Sequence, residues 1–196
     1  MDTKSKWNNF FKYNEVLKEI DKDVRRTLSS LSFFNGENST RQESLKRILF
    51  VYSQLNPGIG YVQGMNEVLA VIYYVIAKEY EGKEEETICS ETDAFFCFTS
   101  LMGEIMNHFC NALDNTDYGI NAEVVRLDNL LKEKDLELWN NLNEKELKPS
   151  FYSLRWIMLL LSQEFLLPDV LRLWDSFLAD EKRFKFLIYF CCAMIM

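Results

Sequence analysis

The sequence predicts an all-α fold, and three observations lead to this prediction. Apolar residues recur at intervals of three and four along most of the chain, which is the spacing of one helix face. Only seven glycines and three prolines occur among 196 residues, so long regular elements are expected. No segment alternates apolar and polar residues as a half-buried strand does. With 48% hydrophobic residues, the chain can form one domain with a substantial core.

Two helices are predicted in the first third of the chain, each with one apolar stripe. The stripes are Phe10, Phe11, Val16, Leu17 and Ile20 in the first helix, and Leu45, Ile48, Leu49, Tyr52 and Leu55 in the second. The polar stretch Asn35 to Arg41 is predicted to be the loop between them. The sequence Asn56-Pro57-Gly58 should end the second helix, because proline cannot continue a helix and glycine allows a turn.

A third helix is predicted to begin at Gln63 or Gly64 and to end at Lys78, before a charged linker over residues 82–86. Its expected buried side consists of Met65, Val68, Leu69, Ile72 and Val75. Ser90 or Thr92 is expected to cap the next helix, which should run to about Leu113 and end within residues 114–119.

Four more helices are predicted over about residues 122–142, 150–165, 168–178 and from 182 onward. Pro168 suits the first turn of its helix, where its missing N–H costs nothing. The longest uncharged apolar run, residues 186–196, is eleven residues long and too short to span a bilayer. No transmembrane segment is therefore predicted.

Charge and cysteine usage narrow the functional classes. The net charge of −8 argues against nucleic acid as a ligand and against electrostatic docking on anionic lipid. Five cysteines without a C-x-x-C pair, and an N-terminus unlike a signal peptide, predict reduced thiols in the cytoplasm. The single histidine, His108, forms no recognisable zinc or Cys-His pattern, so no metal site is predicted.

Three segments carry the functional signal. Residues 20–27 fit the pattern I-x-x-D-x-x-R-T, and residues 61–66 read Y-x-Q followed by G-M-N. Residues 154–175 combine R-W, E-F and L-W-D. Together they resemble the TBC domain, the helical module that accelerates GTP hydrolysis by Rab-type small GTPases, and the flanking residues are most similar to its member-thirteen branch. The whole chain, 1–196, is therefore expected to be a TBC domain, with the third segment in a largely structural role.

The resemblance implies that Arg26 is an arginine finger and Gln63 a glutamine finger, both acting in trans on the GTPase. It also implies that Asp23 orients the guanidinium and that Ile20 anchors this segment in the core. Taken alone, Arg26 would be a surface arginine in an ordinary ion pair with Asp23, and Gln63 a solvated residue at a helix start. The joint match of both segments favours the functional interpretation.

Three residues near Gln63 have two open interpretations each. Tyr61 is either a packed aromatic residue or a contact residue, and Gly64 either admits a partner's backbone or packs tightly within the fold. Asn66 either holds the glutamine segment or is a buried amide with satisfied hydrogen bonds. The spacing Gly58-x-Gly60-x-x-x-Gly64 superficially resembles a nucleotide-binding loop. However, it follows a helix and lacks the Lys-Ser/Thr of a P-loop, so the chain is not expected to bind nucleotide itself.

The implied partner is a Rab-type small GTPase in its GTP-bound form. GTP and Mg²⁺ would be carried by that partner, so no cofactor is expected in this chain, and association with endomembranes would be indirect, through the GTPase. TBC domains normally begin before the position of Met1 and continue past that of Met196. The chain is thus expected to be incomplete at both ends, with part of its last helix uncovered and with low stability.

Two other functional classes stay open. Truncation favours a non-catalytic module that binds or scaffolds a Rab-type GTPase, whereas the intact fingers disfavour it. A helical interaction domain with no GTPase partner is the third interpretation, which the paired motifs disfavour most.

Overall fold

The computed structural model describes residues 3–29, 31–35, 40–110, 113, 116 and 118–196; the side chains of residues 3–10 and 35 are not described. Ten α-helices and no strand occur within these ranges, which confirms the predicted all-α class. The helices are α1 Thr3–Val24, α2 Ser32–Asn35, α3 Thr40–Leu55, α4 Met65–Tyr80, α5 Glu86–Ile105, α6 Ile120–Lys134, α7 Leu136–Glu144, α8 Pro149–Met158, α9 Leu167–Ala179 and α10 Lys185–Ile195. The chain forms two compact units, residues 1–103 and 104–196, and the boundary falls just before the C-terminal end of α5.

In the first unit, α3 packs against α1, α2 and α4, and α1 also contacts α4. The stripe predicted for α3 is buried except at Leu55, which is 66% exposed. The prediction that Asn56-Pro57-Gly58 ends this helix is confirmed. The Asn56 side chain donates to the Tyr52 carbonyl at 2.9 Å, and the Gly60 N–H donates to the Asn56 carbonyl at 2.8 Å. These bonds satisfy groups that the helix end would leave unpaired.

Among its described side chains, the stripe predicted for α1 is fully buried only at its C-terminal end. Ile20 is inaccessible, whereas Phe11 is 59% exposed and Leu17 is 39% exposed. The side chain of Phe10 lies outside the described residues. The loop predicted over residues 35–41 is wrong at both of its ends, because α2 extends to its first residue and α3 begins at its sixth; residues 36–39 are not described.

Helix α4 has nearly the predicted bounds but a wider buried surface. Val75 is 49% exposed, so its predicted burial is wrong, and Ile72 is only partly buried. Val71 and Tyr73 are buried instead. Because α1 and α3 both pack on α4, the helix buries more than one narrow stripe.

Helix α5 begins before the residues that were expected to cap it. Ser90 and Thr92 lie inside the helix, and their hydroxyls donate to the carbonyls four residues earlier at 2.6 and 2.8 Å. Such bonds satisfy the hydroxyl within a helix rather than capping one. The helix ends at Ile105 and a 3₁₀ turn follows, so the prediction of a helix to Leu113 is wrong. Residues 114, 115 and 117 of the predicted helix end lie outside the described part of the chain.

In the second unit, α6 packs against α7, α8 and α10, and α8 also contacts α10. The single helix predicted over residues 122–142 is in fact two helices. Asp135 interrupts it with a non-helical backbone conformation, and its side chain caps α7 by accepting the Leu138 N–H at 2.8 Å. The Trp139 indole N–H donates to Asp128 at 2.9 Å and ties α7 to α6.

Helix α8 ends at Met158, so the prediction of a helix through Phe165 is also wrong. Leu160 and Leu161 have φ angles of +51° and +61°, which a right-handed helix cannot contain. Both leucines are fully buried, and the Trp174 indole donates to the Leu160 carbonyl at 2.8 Å. Tertiary contacts thus hold a conformation that the residue types disfavour.

An ion pair spans the same irregular segment. Arg155 donates from Nε to Glu164 Oε1 at 2.8 Å and from Nη2 to Oε2 at 3.1 Å. This bidentate pair joins α8 to the turn before α9. Pro168 lies in the first turn of α9 as predicted.

Acid should destabilise the fold partly through His108. Burial lowers the pKa of this imidazole to about 4, and its Nδ1 has no hydrogen-bond partner in the described residues. The unfolded chain would bind a proton near pH 6.5, so stability should fall as the pH drops from that value toward 4. The expected loss is on the order of 2 to 3 kcal/mol. Urea unfolding of wild type and His108→Gln at about pH 7 and about pH 4.5 checks this, because the variant should lose less stability. An identical pH dependence would contradict it.

Candidate functional site

Arg26 lies in the turn that follows α1, two residues beyond the end of the helix. The Arg26 N–H donates to the Asp23 carbonyl at 3.1 Å, which tightens the chain after the last helical turn. The guanidinium Nη2 donates to Asp23 Oδ1 at 2.7 Å. The side chain of Arg26 is 51% exposed and that of Asp23 only 7%. A buried carboxylate therefore holds one edge of a guanidinium that faces solvent.

Asp23 also contacts the second motif. Its Oδ2 accepts a hydrogen bond from the Tyr61 hydroxyl at 2.7 Å. Burial, followed by the hydrogen bond to Asp23, raises the pKa of Tyr61, so the phenol stays protonated and donates. One carboxylate thus binds the arginine segment through one oxygen and the glutamine segment through the other.

Gln63 lies in the turn just before α4, and its side chain is exposed. The next residue, Gly64, has φ +106°, a conformation that glycine adopts at little cost. Gly64 is buried, and its carbonyl accepts the N–H groups of Glu67 at 3.1 Å and Val68 at 3.3 Å. The fold therefore fixes the backbone beside Gln63 and leaves the carboxamide accessible.

Asn66 links the two segments a second time. The residue is 2% exposed, and its Oδ1 accepts the Gly64 N–H at 3.0 Å and lies 3.2 Å from the Tyr61 hydroxyl. Its Nδ2 donates to Thr27 Oγ1 at 2.7 Å and to Glu67 Oε1 at 3.1 Å. The amide is thus satisfied on both sides and also holds the turn that carries Gln63.

Two members of this network were missed by sequence reasoning. Thr27 is inaccessible and Glu67 is 7% exposed. Thr27 is the last letter of the first motif, and a hydroxyl in a motif was the signal that could have identified it. Glu67 had no such signal, since a carboxylate in the first turn of a helix is common on the surface.

Ile20, the remaining predicted site residue, is fully buried in α1 one turn before Asp23. The neighbouring Arg25 has different surroundings from Arg26. Its Nε donates to Asp21 at 2.7 Å, the two side chains are 69% and 34% exposed, and Lys46 also pairs with Asp21. Arg25 therefore belongs to a surface ion cluster, whereas Arg26 is bonded to the buried network.

The Tyr61 hydroxyl should contribute measurably to stability. In Tyr61→Phe the ring is kept but the buried Asp23 oxygen loses its donor. A hydrogen bond to a charged group contributes about 1.5 to 3 kcal/mol, so the midpoint of urea unfolding should fall accordingly.

Tyr80→Phe is the matched control for this variant. The Tyr80 hydroxyl also donates to a carboxylate at 2.7 Å, that of Asp93, but this pair is exposed. Its loss should change the stability by less than about 0.5 kcal/mol. Equal effects of the two substitutions would mean that the buried hydrogen bond to Asp23 contributes no more to stability than an exposed one.

Other kinds of site have less support in the structure. Within the described ranges, no three His, Cys, Asp or Glu side chains are grouped so that they could hold a metal ion. No helix of the described chain is both long and apolar enough to cross a membrane.

The chain is similar to known proteins in both sequence and structure. A family model described as the Rab-GTPase-TBC domain matches residues 1–196. TBC1 domain family member 13 of Homo sapiens is 39% identical over 255 residues, an alignment that covers 98% of this chain and 63% of the relative. TBC domain-containing protein C1952.17c of Schizosaccharomyces pombe is 44% identical over 191 residues, covering 89% of this chain and 30% of the relative.

A solved structure shares the fold. The crystal structure of the Ypt/Rab-GAP domain of Gyp1p superimposes with a TM-score of 0.83 at 25% identity. The match covers 94% of this chain and 61% of that one. The chain therefore spans less than two thirds of the length of these relatives.

Proposed function

Because this chain belongs to the Rab-GTPase-TBC domain family, we propose that it is a GTPase-activating module for a Rab-type small GTPase, with Arg26 and Gln63 acting in trans. One observation carries the assignment of the two residues. The buried Asp23 carboxylate accepts hydrogen bonds at 2.7 Å from both Arg26 and Tyr61, so it joins the arginine segment to the glutamine segment. The name of the solved relative, a Ypt/Rab-GAP domain, supports the same activity.

Arg26 suits the stabilisation of a phosphoryl group in transfer. GTP hydrolysis spreads negative charge over the γ-phosphoryl oxygens, and a guanidinium neutralises that charge without changing its own protonation. Within the described part of the chain, Arg26 uses only Nη2 for bonding, to Asp23. The other donors of the planar group are left for the phosphate oxygens. The buried carboxylate fixes the direction in which they point.

Gln63 suits the placement of the attacking water. A carboxamide donates and accepts hydrogen bonds together, so it can hold a water in line with the leaving group and touch a phosphate oxygen. The side chain is exposed, while the bonds of Gly64 and Asn66 fix the backbone next to it. An accessible group on a fixed backbone is the arrangement that positioning requires.

The partner would be the GTP-bound form of the GTPase, which carries both GTP and Mg²⁺. In this proposal the chain supplies no cofactor and contributes only side chains to the active site of its partner. It would reach endomembranes from the cytoplasm through the membrane-bound GTPase.

A single-turnover hydrolysis assay tests the proposal. GTP-loaded Rab proteins are mixed with an excess of the chain, and phosphate release is followed for each member of a broad panel. We expect at least one Rab to be stimulated, and the stimulation to be absent with Arg26→Lys. Saturable binding to GTP-loaded Rab proteins without stimulation of any of them would contradict the proposal and support the non-catalytic alternative.

A further inference from the structure

We infer that Thr27 is a positioning residue for the proposed reaction, acting through Asn66 to set the placement of Gln63 relative to Arg26. The inference rests on the proposed function above. Two segments are linked: the arginine turn, residues 25–29, and the glutamine segment, residues 61–64. Thr27 belongs to the first, and Asn66 follows the second in the first turn of α4.

A continuous path of hydrogen bonds runs between these segments. The Thr27 hydroxyl donates to the Asp23 carbonyl at 2.9 Å, and its oxygen accepts Asn66 Nδ2 at 2.7 Å. On the opposite side of the amide, Asn66 Oδ1 accepts the N–H of Gly64 at 3.0 Å. Gly64 directly follows Gln63, so the path reaches the peptide bond that carries the glutamine.

The hydroxyl fixes the direction of the Asn66 amide. Because the Thr27 proton is already donated to Asp23, the Thr27 oxygen can only accept at this contact, and it faces the NH₂ side of the amide. The carbonyl side must then face the Gly64 N–H. Glu67 Oε1 accepts the second Nδ2 hydrogen at 3.1 Å and favours the same orientation. A flipped amide would place NH₂ against the N–H of Gly64.

Thr27 supplies a second link beside the one from Asp23 to Tyr61. A single hydrogen bond between two segments lets one pivot about the other, whereas two bonds from different atoms restrict that rotation. Thr27 is inaccessible and Asn66 is 2% exposed. If the Thr27 hydroxyl were removed, water could therefore not readily replace it as the hydrogen-bond partner of Asn66. Misplacement of a reacting group by about 1 Å can cost as much as 10²-fold in rate.

Thr27→Val tests this role, because valine keeps the branched shape and removes only the hydroxyl. We expect the maximal rate of stimulated hydrolysis to fall roughly tenfold, with KM for the GTP-loaded Rab changed by less than about twofold. Thr27→Ser restores the hydroxyl and should restore most of the rate. When Thr27→Val is added to Gln63→Ala, the rate should fall by less than about a further twofold. Both substitutions act through the Gln63 carboxamide, so their effects should not add.

Ser90→Ala is the matched control for a lost buried hydroxyl. Ser90 is 1% exposed, and the hydrogen bonds its hydroxyl donates within the described structure go to carbonyls of its own helix, at 2.6 and 3.2 Å. This variant should melt at a slightly lower temperature and keep the wild-type maximal rate. Comparison of Ser90→Ala with Thr27→Val therefore distinguishes the effect of lower stability in the first unit from the effect of a misplaced Gln63.

Any one of three results would overturn the inference. The first is an unchanged maximal rate in Thr27→Val, and the second is a fall in that rate that Thr27→Ser does not restore. The third is a further tenfold fall when Thr27→Val is added to Gln63→Ala. If Thr27→Val does not fold, Thr27→Cys replaces it. Loss of folding in both variants would also overturn it, because the hydroxyl would then support the fold rather than the fingers. A wild-type chain that stimulates no Rab in the panel would overturn the proposed function instead, and the inference with it.

Discussion

Replacing Arg26 with lysine should lower the maximal rate of stimulated GTP hydrolysis by roughly 10²-fold or more, because an arginine supplied in trans contributes 10³ to 10⁵ in other GTPase systems. The lysine ammonium can still pair with the buried Asp23 carboxylate, so the fold should survive. It cannot hold Asp23 and also present a planar pair of donors to the phosphoryl oxygens. The transition state therefore suffers more than the ground state, and binding of the GTP-loaded Rab should change little.

Single-turnover rates, together with binding of a Rab loaded with a non-hydrolysable GTP analogue, measure the two effects separately. Lysine is preferred to alanine because alanine would leave a carboxylate that is 7% exposed without its cationic partner. Arg25→Ala is the control, since the Arg25 side chain is 69% exposed and, among the described residues, pairs only with Asp21. It should retain most of the activity. Stimulation by Arg26→Lys close to that of wild type would remove Arg26 from the finger role.

The fold class follows from the sequence because apolar spacing records which side of each helix is buried. The places where prediction is wrong have identifiable causes. Leu160 and Leu161 are good helix formers, and nothing local to them indicates positive φ; their burial and the bond from Trp174 impose it. Asp135 did carry a local signal, since aspartate is a preferred helix N-cap, but the continuous periodicity on both sides concealed it.

The residue types of the candidate site follow from the motifs, whereas its contacts do not. The sequence places Asp23 three residues from Arg26, and that pair could be predicted from spacing alone. The bonds from Tyr61 to Asp23 and from Asn66 to Thr27 join segments that are distant in the chain. They depend on how α1 and α4 pack, and among the described side chains of the apolar stripe predicted for α1, only Ile20 is fully buried. The finger roles of Arg26 and Gln63 stay predictions that kinetics must test.

Substitution of Gln63 should distinguish a mechanism that uses Arg26 alone from one that uses both Arg26 and Gln63. In GTPases that are served by an arginine finger alone, the GTPase's own glutamine orients the attacking water, so its loss blocks stimulated hydrolysis. If Gln63 performs that task here, the wild-type chain should still stimulate a Rab whose own catalytic glutamine is replaced by leucine. Gln63→Ala should then reduce the maximal rate on both the normal and the substituted Rab by roughly 10²-fold or more.

Binding should be nearly unaffected by this change, because Gln63 is exposed and one amide lost from a wet interface costs about 1 kcal/mol. The fold should also be unaffected, since Gly64 and Asn66, rather than the Gln63 side chain, make the bonds that hold the turn. The decisive measurement is the hydrolysis rate of both Rab forms with wild type and with Gln63→Ala. Activity that requires the partner's glutamine and is indifferent to Gln63 would leave Arg26 as the sole finger. Loss of activity with Gln63→Ala on both Rab forms, with binding intact, would show that Gln63 of this chain orients the attacking water.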